Sequence, residues 1–138
     1  MKDVAYIALG SNLGRREVFL AEARAAIAAL SKTSVLAETE IVETAPIGPV
    51  EQGPFLNQMI AVHTELSPTQ LLASLQEIER KAGRTRSKRW GPRTLDLDIV
   101  LFENQSASAP DLTVPHPELP NRSFWQTELA QLRAAAFD

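Results

Sequence analysis

The chain has 138 residues, 44% hydrophobic and 22% charged, with no cysteine and a formal charge of −3. That length suits one domain spanning 1–138 with a core of its own. The composition excludes a disulfide framework and thiolate metal sites, argues against a generally basic nucleic-acid binder, and offers nothing near the roughly 18 apolar residues of a membrane span. A cytoplasmic protein with no membrane partner is expected.

In chain order, "DVAYIAL" (Asp3–Leu9) predicts a first strand, rich in β-branched and aromatic residues. "GSNLG" (Gly10–Gly14) turns the chain, with Ser11 or Asn12 as its cap. It follows a strand and precedes a helix, but matches neither phosphate-loop pattern, so a structural role is expected. Leu20, Ala23, Ile27 and Leu30 recur at helical spacing and predict a helix over 16–31. "TSVLAETEIVE" (Thr33–Glu43) reads as one strand. "TAPIGPVEQGP" (Thr44–Pro54), with three prolines and two glycines, is a loop. "FLNQMIAVHTEL" (Phe55–Leu66) is the third strand, and His63 within it reads as structural. Ser67 as N-cap, Pro68 at the first helical position and Gln70 closing a capping box open the next helix. Its apolar face is Leu71, Leu72, Leu75, Ile78 and Ala82, and Gly83 terminates it. A strand over Asp96–Phe102, a proline-rich connection and a helix over 124–136 finish the chain. The order predicts an α+β fold: a ferredoxin-like βαββαβ core, a mainly antiparallel sheet with helices packed against one face, and a C-terminal helix. The other sheet face would be free for a site.

Of 14 lysines and arginines, seven lie between Arg80 and Arg93, with no acid among them. Two carboxylates follow at once in "RWGPRTLDLDIVLF" (Arg89–Phe102). On a strand, positions i and i+2 share a face, so Asp96, Asp98, Val100 and Phe102 would point one way, and Leu95, Leu97, Ile99 and Leu101 toward a core. The two carboxylates then stand about 6.5–7 Å apart at Cβ. Left alone they would repel; a hard cation relieves this, and magnesium takes one or two carboxylates together with substrate phosphates. One such pair can serve two ions about 3.5–4 Å apart. A basic loop beside such a centre is what a polyphosphate needs, since arginine offers forked donors and lysine a point charge. An exposed charged strand face is the bland alternative. A nucleic-acid surface is the other, but it would spread its cations among stacking aromatics, and here only Trp90 is present.

The stretches "YIALGSNLG", "ETAPIGPVEQGPFLNQMIAV", "GRTRSKRWGPRTLDLDIVLF" and "LTVPHPELPNRSF" resemble the 6-hydroxymethyl-7,8-dihydropterin pyrophosphokinase family of folate biosynthesis. The resemblance runs nearly unbroken up to Phe124, and "RWGPRTLDLDI" is its most specific part. It implies transfer of pyrophosphate from ATP to the pterin's hydroxymethyl group with release of AMP. It implies that Asp96 and Asp98 hold two Mg²⁺ ions, and that Arg84 and Arg93 contact phosphates, with Arg84 on a closing loop. His116 and Arg122 are similar to further triphosphate contacts, and Gln76, Ile99 and Thr113 lie where the nucleotide is held. On the pterin side it implies Phe55 and Phe124 as the sandwiching rings, Asn57 and Thr44 reading the ring's edge, and Pro46, Ile47 and Trp90 completing the pocket. Phe55 and Asn57 are i and i+2 on one strand, so one can stack while the other reads the edge. From the residues alone, a place in the core is the favoured reading for both phenylalanines. No residue looks like a dedicated base, which suits phosphoryl transfer by positioning and charge neutralisation.

After Phe124 the sequence departs: "WQTELAQLRAAAFD" stands where family members commonly carry a "VLxPLxEIAP"-like segment. The basic loop is also a residue shorter than in some relatives. Both ATP and the pterin are expected as small-molecule partners, with no nucleic acid, acting as a monomer unless the altered end makes an oligomer contact. The alternative is a paralogue that binds pterin or nucleotide without turnover.

Overall fold

The computed structural model of the chain describes residues 2–45, 53–83 and 95–137. Its central sheet is built from β1 (Asp3–Ser11), β2 (Thr33–Glu38), β3 (Val42–Thr44), β4 (Phe55–Thr64) and β5 (Asp96–Phe102). The strand order is β2-β4-β1-β5, with β3 also paired to β4, and every pairing is antiparallel. Helix α1 (Arg16–Ala28) links β1 to β2 across β4, and α2 (Pro68–Lys81) links β4 to β5 across β1. This is the interleaved split-βαβ plan the element order predicts.

Every residue of β1 is buried, which is why it reads as a continuous apolar run rather than an alternation. Ala5, Ile7 and Leu9 point to one side and pack with Leu20, Ala23 and Ile27 of α1 and Leu71 and Leu75 of α2. Val4, Tyr6 and Ala8 point to the other, under Trp125, Leu129 and Leu132 of α3 (Ser123–Phe137). The sequence leaves this second face free for a site, and that expectation fails: α3 covers it, and the candidate residues gather instead at the end of the sheet near Gly10. Arg133 of α3 donates from Nε to Glu103 Oε2 at 3.2 Å, and the Tyr6 hydroxyl donates to the same oxygen at 2.9 Å. Burial, reinforced by Glu103, pushes that hydroxyl up to about 12.

Three local expectations need correction. The strand expected over 33–43 is broken at Thr39. Its Oγ1 accepts from Met59 N–H at 3.0 Å and its carbonyl accepts from Gln58 Nε2 at 2.6 Å, so side chains replace part of the ladder. The alternation expected along β5 fails beyond Ile99. The register steps from Ile7–Ile99 to Tyr6–Leu101, leaving Val100 as a bulge. Phe102 consequently joins the α1–α2 core, while Val100 and Leu101 pack toward α3. Ser11 does not cap the turn: its Oγ is buried with no hydrogen-bond partner among the described residues, while Asn12 Nδ2 donates to Gly53 O at 3.1 Å.

Helix α2 behaves as read. Ser67 Oγ accepts from Gln70 N–H at 3.2 Å, Gln70 Oε1 accepts from Ser67 N–H at 2.9 Å, and Gly83 ends the helix at φ +81°. The tail adds a hairpin of β6 (Ala107–Ala109) and β7 (Leu112–Val114) and a 3₁₀ turn at Leu119–Asn121 before α3. Among the described residues no helix is long and apolar enough to cross a membrane.

Candidate functional site

Register brings the candidate residues together. Gly10 of β1 lies directly opposite Asp96 of β5 on one side and Asn57 of β4 on the other. Directly opposed residues in an antiparallel pair share a face, so Asp96, Gly10 and Asn57 form one row across three strands, about 10 Å from end to end at the backbone. Asp98 sits opposite Ala8, and Phe55 two residues before Asn57, all on this same face. A Cβ at position 10 would approach Asn57 Oδ1 to 3.4 Å and the Phe55 ring to 3.5 Å. Glycine there leaves a bare trough between the aspartates and the Asn57–Phe55 pair.

At the aspartate end, both carboxylates are half-buried. His116 Nε2 lies 3.7 Å from Asp98 Oδ1, while its Nδ1 accepts from Glu118 N–H at 3.0 Å. That second bond fixes the neutral ring with its proton on Nε2, facing the carboxylate. The His116 backbone N–H also bonds Val100 O at 2.9 Å, tying the turn after β7 to the edge of β5. Trp125 supports this side: His116 meets its ring edge-on at 4.9 Å, and the Arg122 guanidinium lies 4.4 Å over it. Both side chains thus rest on one indole, the imidazole edge-on and the guanidinium over its face. Nothing in the sequence pattern singles out Trp125, because it falls in the divergent tail; its place next to Phe124 is the only hint.

Among the described residues no three His, Cys, Asp or Glu side chains gather as a metal cage. Two carboxylates on one face with an imidazole beside them fit a hard ion that takes its other oxygens from phosphate and water. They do not fit a closed structural centre.

At the other end, Thr44, Asn57 and Phe124 line a hollow of about 490 Å³, closed by Thr39, Val42 and Glu128. Asn57 Nδ2 donates to Thr44 Oγ1, so the two polar groups hold each other in orientation. Glu128, unremarked in the sequence, is 7% exposed and receives a 3.2 Å bond from Thr39 Oγ1. Burial pushes its carboxyl up from the ordinary 4.5 to about 7. A larger hollow of about 690 Å³ between α1 and α2, lined mainly by Phe19, Leu30, Ile78 and alanines, lies on the opposite face, away from the carboxylates.

The remaining expected residues divide. Gln76 on α2 and Thr113 on β7 are exposed, on elements that contact each other beside β5. The Ile99 side chain is buried in the α1–α2 core, leaving only its backbone to face a ligand at the strand edge. Arg84, Arg93, Trp90, Pro46 and Ile47 lie outside the described residues. The "GSNLG" turn is structural as expected, though not as a cap: Asn12 Nδ2 donates to Gly53 O at 3.1 Å, and Arg16 to Pro54 O at 3.0 Å, anchoring the start of β4.

The chain is similar to known proteins. The family model described as 7,8-dihydro-6-hydroxymethylpterin-pyrophosphokinase matches residues 6–134. The chain is 44% identical to the 2-amino-4-hydroxy-6-hydroxymethyldihydropteridine pyrophosphokinase of Bacillus subtilis, over 96% of this chain and 79% of that protein. It is 45% identical to the Haemophilus influenzae protein of the same name, over 87% of this chain and 75% of the relative. A Plasmodium falciparum HPPK-DHPS structure superposes with a TM-score of 0.56 at 14% identity, covering 94% of this chain and 33% of that one, which supports the fold alone.

Proposed function

The chain belongs to the 7,8-dihydro-6-hydroxymethylpterin-pyrophosphokinase family, and from that premise we propose that it transfers pyrophosphate from ATP to the hydroxymethyl group of 6-hydroxymethyl-7,8-dihydropterin. The single observation carrying this reading is the row Asp96–Gly10–Asn57, which sets a carboxylate pair and a ring-edge reader on one face with only a glycine between them.

In the reaction, the hydroxymethyl oxygen attacks the β-phosphorus of ATP and loses its proton. The bond from that phosphorus to the oxygen bridging it to the α-phosphorus breaks, and AMP leaves. Asp96 and Asp98 would hold two Mg²⁺ ions, whose chemistry is to neutralise and orient the triphosphate. His116, with its Nε2 proton, and Arg122 donate to phosphate oxygens, joined by Arg84 and Arg93. Phe55 and Phe124, with Trp90, Pro46 and Ile47, hold the pterin, while Asn57 and Thr44 read its polar edge. Gln76, Thr113 and the Ile99 backbone hold the nucleotide's far end. No side chain is needed as a strong base, because positioning and charge neutralisation supply most of the acceleration.

Each of these groups comes from one chain, so a monomer suffices, and a reaction using ATP and a folate precursor belongs in the cytoplasm. The divergent tail, which motivated a non-catalytic alternative, buries Trp125, Leu129 and Leu132 as a docked helix, so it gives no reason to doubt turnover. A crystal structure with Mg²⁺ and a non-hydrolysable ATP analogue tests the assignment. Both aspartates should ligate ions shared with the phosphates; aspartates turned away, with no ion between them and the nucleotide, would refute it.

A further inference from the structure

Among the described residues strand β5 lies at the edge of the sheet, paired with β1 on one side only. On such an edge, alternate backbone N–H groups point outward with no strand to receive them. At the peptide between the two aspartates, a side chain takes that place. Glu79, on the buried face of α2 and only 4% exposed, accepts from the Leu97 N–H through Oε2 at 2.7 Å. Leu97 packs into the α1–α2 core, while Asp96 and Asp98 project from the opposite face. A short bond to a buried carboxylate thus fixes the Asp96–Leu97 peptide, one of the two peptide planes that set the spacing and direction of the aspartates. Burying a carboxylate is costly, and a simple edge peptide could be left to water. The bond places a buried acceptor at the strand edge where it sets the geometry of the aspartate segment.

We propose that Glu79 is a positioning residue for the aspartate pair, acting through the Leu97 peptide to hold Asp96 and Asp98 in the arrangement that grips metal-bound nucleotide; this rests on the function proposed above. What matters is the reach of the acceptor atom, not its charge.

Two conservative variants separate reach from charge. Glu79→Gln keeps the length and an acceptor oxygen; Glu79→Asp keeps the charge and withdraws the oxygen by one methylene. Three readouts are needed: Mn²⁺ binding in the presence of a non-hydrolysable ATP analogue by electron paramagnetic resonance, pterin binding by fluorescence, and kcat. Partners that orient metal ligands typically matter 10–100-fold, so Glu79→Asp is expected to weaken Mn²⁺–nucleotide binding and lower kcat by about tenfold or more. Pterin affinity should stay within about twofold, and Glu79→Gln should remain within about threefold of the parent on all three. The proposal is overturned if Glu79→Asp binds Mn²⁺ normally, if Glu79→Gln is the more damaged variant, or if Glu79→Asp loses pterin and metal binding alike, which would mark a general structural role. Absence of AMP from the parent protein would sink the proposed reaction instead, while the Mn²⁺ comparison would still decide the role of Glu79.

Discussion

Glu128→Gln should remove a pH dependence from the protein's stability. Glu128 hangs from α3 under the sheet end, 7% exposed, with Thr39 Oγ1 donating to one oxygen at 3.2 Å. Burial dominates and pushes the carboxyl up from 4.5 to about 7; the threonine bond offsets only part of this. The unfolded chain releases this proton near 4.5, whereas the folded chain keeps it to about 7. Between those values the native state binds more protons, so stability is greatest below the window and falls as pH rises through it. One pH unit of separation is worth about 1.4 kcal/mol, which gives an upper bound of about 3.5 kcal/mol for this group. Glu128 opens onto the 490 Å³ hollow, where water screens the charge, so about 2 kcal/mol is a better figure. For a chain of this size that corresponds to roughly 8 °C in Tm. Thermal unfolding of parent and variant from pH 5 to 8.5 measures it directly. The variant should gain on the parent as pH rises to about 7 and hold that lead above it, the gap closing toward pH 5. Parallel Tm curves across that range would refute the reasoning.

Gly10→Val should weaken pterin binding by tenfold or so, about 1.4 kcal/mol, because its Cβ already meets Asn57 and Phe55; unaltered fluorescence titration would contradict the trough. Ser11 Oγ is buried without a hydrogen-bond partner among the described residues, so Ser11→Ala should leave stability unchanged or raise it by about 1 kcal/mol in denaturant titration; a clear loss would show the hydroxyl to be engaged. Leu132, fully buried between α3 and the sheet, should cost about 3 kcal/mol when cut to alanine. A loss under 1 kcal/mol would mean that the tail does not dock as described.

The parts of this fold that local chemistry dictates were legible in the sequence. The Ser67–Pro68–Gln70 capping box and the Gly83 stop depend on neighbours within a turn, and both stand as read. So does the pairing of Asp96 with Asp98 on one face, since a two-residue period survives until something interrupts it. The interruptions were illegible because they come from other strands. The bulge at Val100 exists only against β1, and it moves Phe102 to the opposite core. The break at Thr39 depends on Met59 and Gln58, some twenty positions away in the chain. Within the site, the strand patterns placed Asn57 and Phe55 together, but not their adjacency to the aspartates, which is a matter of register across β1. Glu79 and Glu128 had no sequence signal, and Trp125 only its place beside Phe124. Glu79 lies on an ordinary helix face and the other two in the divergent tail, and their roles come from what packs against them.

The most direct measurement is the nucleotide product. The protein is incubated with ATP, Mg²⁺ and 6-hydroxymethyl-7,8-dihydropterin, and the products are resolved by chromatography. The parent should release AMP in step with pyrophosphorylated pterin, and Asp98→Ala should release none while still binding the pterin. Release of ADP, or AMP formed equally by Asp98→Ala, would contradict the account.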